Sequence, residues 1–279
     1  EPRMIRRLLA LALAAALPAL AAWAAPSADD VVPPPDDRTG ASAQLAPPYA
    51  HAWTWTPPPF DTRPLDVALV EGTLLVADGT RHQVHVYDDA GRRVGFWGAP
   101  EAIAPSGHEA FVIPTNLAVD GANRIAYVLW QRWTWPVLVG AAPNAAWIER
   151  RAIGAEEPTG VAPLALDDVR ATAWDAERGR LLVAAGRRLH AVDPATGLPT
   201  PLPITYPASD RVDVAASGER LAVVTLGGTT ARAVLHALDG TVVGQLEPPA
   251  APVAVTTGPG GGFGLLLAPP DPADAEAPL

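Results

Sequence analysis

Every one of the 20 basic side chains in this 279-residue sequence is an arginine, and several fall where separate turns would bring them together. Arg81 with His82, Arg132 with Trp133, Arg187 with Arg188, and finally Arg232 recur at intervals of about 40–55 residues, each beside a short apolar run. A guanidinium fork matches the paired oxygens of a carboxylate or phosphate, so a surface gathering these groups would bind an anion. The competing reading is that polar turns expose Arg with no ligand in view. Trp130, Trp133 and Trp135 crowd the same region, where indole faces either stack on sugar or peptide or pack inside the fold.

Other chemistry finds less to work with. His82, His108, His190 and His236 are scattered without short metal-ligand spacing, and His85, His190 and His236 fall at related places in successive apolar runs. Cysteine is absent, which excludes disulfides, thiolate catalysis and Cys-ligated zinc. No nucleophile elbow, phosphate loop or dinucleotide fingerprint occurs, and no cofactor is expected. The net charge of −10 argues against general nucleic-acid binding, which depends on a basic surface to neutralise phosphates.

Elements that could position the arginines are short strands. Hydrophobic content of 49% supports a real core, while 32 Pro, 24 Gly and only 18% charged residues favour strands joined by turns over long helices. The beginning of the chain reads differently. Met4-Ile5-Arg6-Arg7, an apolar run from Leu8 to Ala22 and small residues near Ala24 predict a secretory signal peptide over 1–24, hence a secreted or periplasmic protein with no membrane span after cleavage. An uncleaved anchor is the alternative, weakened by Pro18. Residues 25–49 are Pro- and Ala-rich without periodicity and are expected to be a linker.

From residue 50 to 279 the sequence repeats a four-strand unit. One unit runs through Leu65–Leu69, Leu74–Ala77, Gln83–Tyr87 and Arg93–Trp97, with turns at Glu71-Gly72 and Asp88–Gly91. A second is expected at Asn116–Asp120, Ile125–Leu129, Pro136–Val139 and Ala146–Glu149. A third takes Val169–Trp174, Leu181–Ala184, Leu189–Val192 and a strand after the Asp193–Gly197 turn. A fourth takes Val212–Ala215, Leu221–Val224, Ala233–His236 and Val242–Leu246, and a fifth has only Val253–Thr256 and Leu265–Leu267. The expected fold is therefore an all-β propeller of four-stranded antiparallel blades, with an incomplete last blade that points to a truncated chain, and with a β-sandwich as the alternative.

The stretch Leu75-Val76-Ala77-Asp78-Gly79-Thr80-Arg81-His82-Gln83-Val84-His85-Val86-Tyr87, closed by Phe96-Trp97-Gly98, resembles an NHL-type propeller repeat, as does the connection Gly107–Asp120. Arg81 and Gln83 stand where that family usually has Asn and Arg flanking the His. The resemblance implies ring closure by terminal strand pairing, with His51–Thr56 as the outer strand of the last blade. The expected role is a non-enzymatic exported module that binds a protein, peptide or envelope glycan, through loops on the face carrying Arg81, His82, Arg132, Trp133, Arg187, Arg188 and Arg232. The alternative is a calcium-dependent, lactonase-like hydrolase on the same scaffold, with Asn116 and Asp120 imitating part of its centre.

Overall fold

A computed structural model describes residues 64–104, 110–134, 143–209, 211–227, 230–248, 252–257 and 262–267. The signal segment, the linker, His51–Thr56, His108, Trp135 and the expected strand at Pro136–Val139 lie outside the described residues. What is described is all β apart from one short 3-10 turn at Glu101–Ile103. Four antiparallel four-stranded sheets form a four-blade β-propeller, followed by a two-stranded sheet.

Blade 1 contains β1 (Pro64–Val70), β2 (Thr73–Asp78), β3 (Gln83–Tyr87) and β4 (Arg93–Gly98). Blade 2 contains β5 (Ala110–Asp120), β6 (Ile125–Thr134), β7 (Ala145–Ala152) and β8 (Gly160–Leu164). Blade 3 follows as β9 (Val169–Asp175), β10 (Arg180–Ala185), β11 (Arg188–Val192) and β12 (Pro199–Thr205), and blade 4 as β13 (Arg211–Ser217), β14 (Arg220–Gly227), β15 (Thr230–Ala237) and β16 (Val242–Leu246). The final pair is β17 (Pro252–Thr257) and β18 (Phe263–Leu267). Within each blade the strands pair in chain order, and the first strands β1, β5, β9, β13 and β17 touch in series around the axis. A sandwich would oppose two sheets face to face, so that alternative is excluded.

Period-two alternation explains the core. In β10, Leu181 and Val183 face blade 2 while Leu182 and Ala184 face blade 4, and all four are buried. The same split sends Leu75 and Ala77 toward blade 2, Ala126, Val128 and Trp130 back toward blade 1, and Leu221 and Val223 toward blade 3. Each such Leu or Val side chain contributes about 1.5–3 kcal/mol when fully buried. The interfaces between blades are therefore the core.

Blade 2 differs from its expected reading. Its third strand is Ala145–Ala152, the segment expected to be the fourth, and its fourth is Gly160–Leu164. That last strand is short and contains Pro163, which the outer edge tolerates because no further strand needs its missing N–H. The same reasoning covers Pro199, Pro201 and Pro203 in β12.

Candidate functional site

Hairpin geometry decides which loops share a face. The β2–β3, β6–β7, β10–β11 and β14–β15 hairpins lie with the blade-to-blade connections on one face, hereafter the upper face, and the remaining hairpins lie on the other. All seven expected ligand-binding residues stand in or beside the upper hairpins, distributed over the four blades. Arg81 and His82 occupy the exposed β2–β3 turn. His82 adopts a left-handed backbone (φ 55) and stacks on Phe111 of blade 2, with ring centroids 5.3 Å apart. Burial holds its pKa below the ordinary value, against an opposing pull from Asp78.

On β6, Arg132 places its guanidinium 5.7 Å from the centre of the Trp147 ring, and the neighbouring Trp133 has its indole N–H buried without a partner among the described residues. Arg187 and Arg188 are exposed at the β10–β11 turn, which Gly186 permits through a φ of 58. Half-buried Arg232 sits on β15 directly opposite Thr225 of β14. Cross-strand register makes Arg188 and Arg232 equivalent positions of blades 3 and 4, since each follows the same step beyond the pairs Val183↔His190 and Val223↔Val234.

The two faces treat arginine differently. On the lower face Arg92 pairs with Asp88 at 2.7 Å, Arg124 with Glu71, and both Arg178 and Arg180 with Asp175 at 3.4 and 2.9 Å. On the upper face Asp168 holds Arg170 at 2.9 Å, but among the described residues no carboxylate forms an ion pair with Arg132, Arg187, Arg188 or Arg232. Arg132, Arg187, Arg188 and Arg232 are thus available to an external anion, whereas Arg92, Arg124, Arg178 and Arg180 are already engaged; among the described residues the lower-face Arg93 and Arg220 also form no ion pair.

Arg232 also lines a cleft of about 180 Å³ that sequence reasoning missed. The connection Pro207–Ser209 forms one wall, and the cross-strand pairs Thr225↔Arg232 and Gly227↔Thr230 form the other. Alternation was the signal available in the sequence, because Leu221, Val223, Thr225 and Gly227 share one face of β14 and change from apolar to polar toward its upper end.

A second group, of which sequence reasoning singled out Asn116 but not Asp66 or Asp213, surrounds the axis. Asp66, Asn116 and Asp213 occupy matching positions on β1, β5 and β13, opposite Ala77, Leu129 and Val224. On β1 and β5 a β-bulge precedes the position and re-aims the strand. Each side chain reaches the next inner strand. Asp66 accepts from its neighbour Val67 N–H at 2.8 Å and from Leu117 N–H of blade 2 at 2.7 Å. Asp213 repeats this with Val214 N–H at 2.9 Å and Val255 N–H at 2.8 Å, while Asn116 donates to the Arg170 carbonyl at 3.3 Å. Burial pushes the Asp66 carboxyl up to about 7, against the backbone bond from Leu117 and with added repulsion from Asp213. Burial likewise raises Asp213 to about 6, opposed by its two backbone bonds and by Arg211. Burial holds the Arg211 pKa below its ordinary value, against attraction from both carboxylates.

The structure decides between the two readings of Trp130 and corrects the register expected of His236. Trp130 is fully buried and donates to Glu149 at 2.6 Å, so it cannot form a stacking platform. Glu149 in turn accepts from Arg151, whose guanidinium lies 5.1 Å from the Trp97 ring centre, which makes a closed polar knot between blades 1 and 2. His85 and His190 do share a register position, but His236 is two residues farther along, where Val234 takes the equivalent place and Glu149 is its counterpart in blade 2. His85 bonds Asp78 at 2.9 Å inside the fold. Asn116 stands in the middle of β5 and Asp120 at its end, about 13 Å apart at 3.3 Å per residue, and Asp120 caps its own turn through Asn123. They do not belong to one metal centre.

Comparison with protein families and with curated proteins finds no sequence match. Solved structures give similarity of fold at low identity. Hydrazine synthase of Kuenenia stuttgartiensis aligns with 66% of this chain at 14% identity and a TM-score of 0.45. A protein of unknown function from Bacteroides caccae aligns with 67% at 12% identity and a TM-score of 0.42. BamB from Moraxella catarrhalis aligns with 74% at 13% identity and a TM-score of 0.42. The chain spans 49%, 61% and 56% of these three chains, respectively.

Proposed function

We propose that this protein is a non-enzymatic, exported interaction module of NHL-like character, directed to the periplasm or the medium by residues 1–24. Its upper face binds an anionic partner, which is a protein, a peptide or an envelope glycan. Arg81, His82, Arg132, Trp133, Arg187, Arg188 and Arg232 supply the contact surface. One observation carries the reading: among the described residues, Arg92, Arg124, Arg178 and Arg180 of the lower face are held by carboxylates, whereas Arg132, Arg187, Arg188 and Arg232 of the upper face form no such pair. A bidentate guanidinium–carboxylate contact is both directional and charge-assisted, and blades 2, 3 and 4 present such groups from separate hairpins.

The test is a thermal melt of the full chain with acidic and neutral peptides and saccharides, because a ligand of the native state raises the transition temperature. Acidic ligands should raise it, high salt should erase the effect, and replacing Arg81, Arg132 and Arg188 together by Ala should reduce it strongly. An unchanged shift in that triple variant would show that the face is not the binding surface.

A further inference from the structure

We propose that the cleft between blades 3 and 4 is a carboxylate subsite, in which Arg232 clamps a Glu or Asp side chain of an acidic peptide. The proposal rests on the upper-face reading and narrows it to one position and one ligand chemistry. Several features of the cleft converge on this occupant. Among the described residues, Arg232 is the single charged residue in the lining. Thr225, buried and directly opposite Arg232 in the ladder, places a hydroxyl-bearing side chain in the same lining.

The walls are held in place. Arg170 donates to the Ser209 carbonyl, the Ser209 hydroxyl donates to the Pro207 carbonyl at 3.0 Å, and Tyr206 N–H bonds the Arg187 carbonyl at 3.1 Å. At Gly227 a Cβ would meet the Ala208 carbonyl oxygen at 3.2 Å, so a side chain there would press the two walls against each other. A cleft with fixed walls loses little freedom on binding.

Size and lining choose among anions. A volume of about 180 Å³ is ample for a carboxylate with its methylenes. A sugar ring would find no aromatic plane among the described lining residues, and stacking on such planes is what carbohydrate recognition commonly needs. A phosphate dianion calls for more than one guanidinium, whereas one fork satisfies one carboxylate.

The experiment is fluorescence anisotropy of the full-length protein with a labelled oligo-glutamate peptide and its oligo-glutamine counterpart, with tetragalacturonate and inorganic phosphate as competitors. The glutamate peptide should bind and the glutamine peptide should not. Arg232→Ala should weaken binding about tenfold or more, and Arg232→Lys, which keeps the charge but loses the fork, should weaken it less. Ala208→Phe fills the mouth of the cleft from an exposed position without changing charge, and it should weaken binding as Arg232→Ala does. It also carries the test if Arg232→Ala fails to fold. Undiminished binding in both Arg232→Ala and Ala208→Phe, alongside a loss in the Arg81/Arg132/Arg188 triple variant, would overturn the cleft while leaving the face reading intact. Absence of glutamate-peptide binding in wild-type protein overturns the subsite, and if no acidic ligand of any kind shifts the melt, the face reading falls with it. Competition by tetragalacturonate or phosphate at lower concentration than the peptide would likewise overturn the peptide assignment.

Discussion

Replacing Asp66 by Asn should flatten the dependence of stability on pH between 8 and 5. In the folded protein burial raises the Asp66 carboxyl from 3.8 to about 7, so ionisation costs more in the fold than in the unfolded chain. A carboxyl whose folded pKa is raised contributes stability that is complete below its unfolded pKa and is lost as pH rises through the folded one. Stability should therefore increase as pH falls from 8 to 5. The shift corresponds to at most about 4 kcal/mol for Asp66 taken alone, at 1.36 kcal/mol per unit. Asp213 acts in the same direction, rising from 3.8 to about 6. Because the two carboxylates repel each other, neutralising Asp66 also makes Asp213 easier to ionise.

His82 and His190 oppose this trend, since burial depresses both and their stabilisation is lost as pH falls through the ordinary histidine range. Subtracting the Asp66→Asn curve from the wild-type curve removes the histidine part. At about 2–4 °C per kcal/mol for a domain of this size, the wild-type melting temperature should climb on the order of 10 °C more than the variant's between pH 8 and 5. Circular dichroism melts in matched buffers measure both. Parallel curves for the two proteins would refute the account of the axis, because they would mean that the Asp66 carboxyl titrates alike in folded and unfolded chains.

Further outcomes concern the interfaces. Glu149→Ala should destabilise the fold by about 3–5 kcal/mol in denaturant unfolding, since it strands Arg151 and the Trp130 indole inside the blade 1–blade 2 interface. A Glu149→Leu/Arg151→Met double variant should lose less than that single variant, because no charge is left unpaired. Gly197→Ala and Gly240→Ala should each destabilise by about 2 kcal/mol or more, as both residues have positive φ (72 and 89) and an added Cβ would collide with the carbonyl oxygens of Pro163 and Pro203. Gly95→Ala, whose Cβ would meet nothing within 4 Å, serves as the control and should change the melting temperature little.

What could be read from the residues alone was whatever depends on short range. Alternating apolar residues and Gly- or Asp-marked turns place β1–β4, β9–β12 and β13–β16 where the strands occur, because strand period and turn chemistry are local properties. The topology of a meander then suffices to put Arg81, Arg132, Arg188 and Arg232 on one face. Blade 2 shows the limit, since a long β6 and a short Pro-bearing β8 displaced the third and fourth strands from their expected places. Tertiary structure decided everything that depends on which blade a face meets. Trp130 became a buried donor to Glu149 because β6 turns that side toward blade 1, and Thr225 and Arg232 became a cleft because the apolar contact with blade 3 ends below them. Asp66 and Asp213, separated by nearly the whole propeller in sequence, sense each other's charge because both inner strands reach the axis. Composition and periodicity carry no record of that meeting; only the stacking of the blades brings it about.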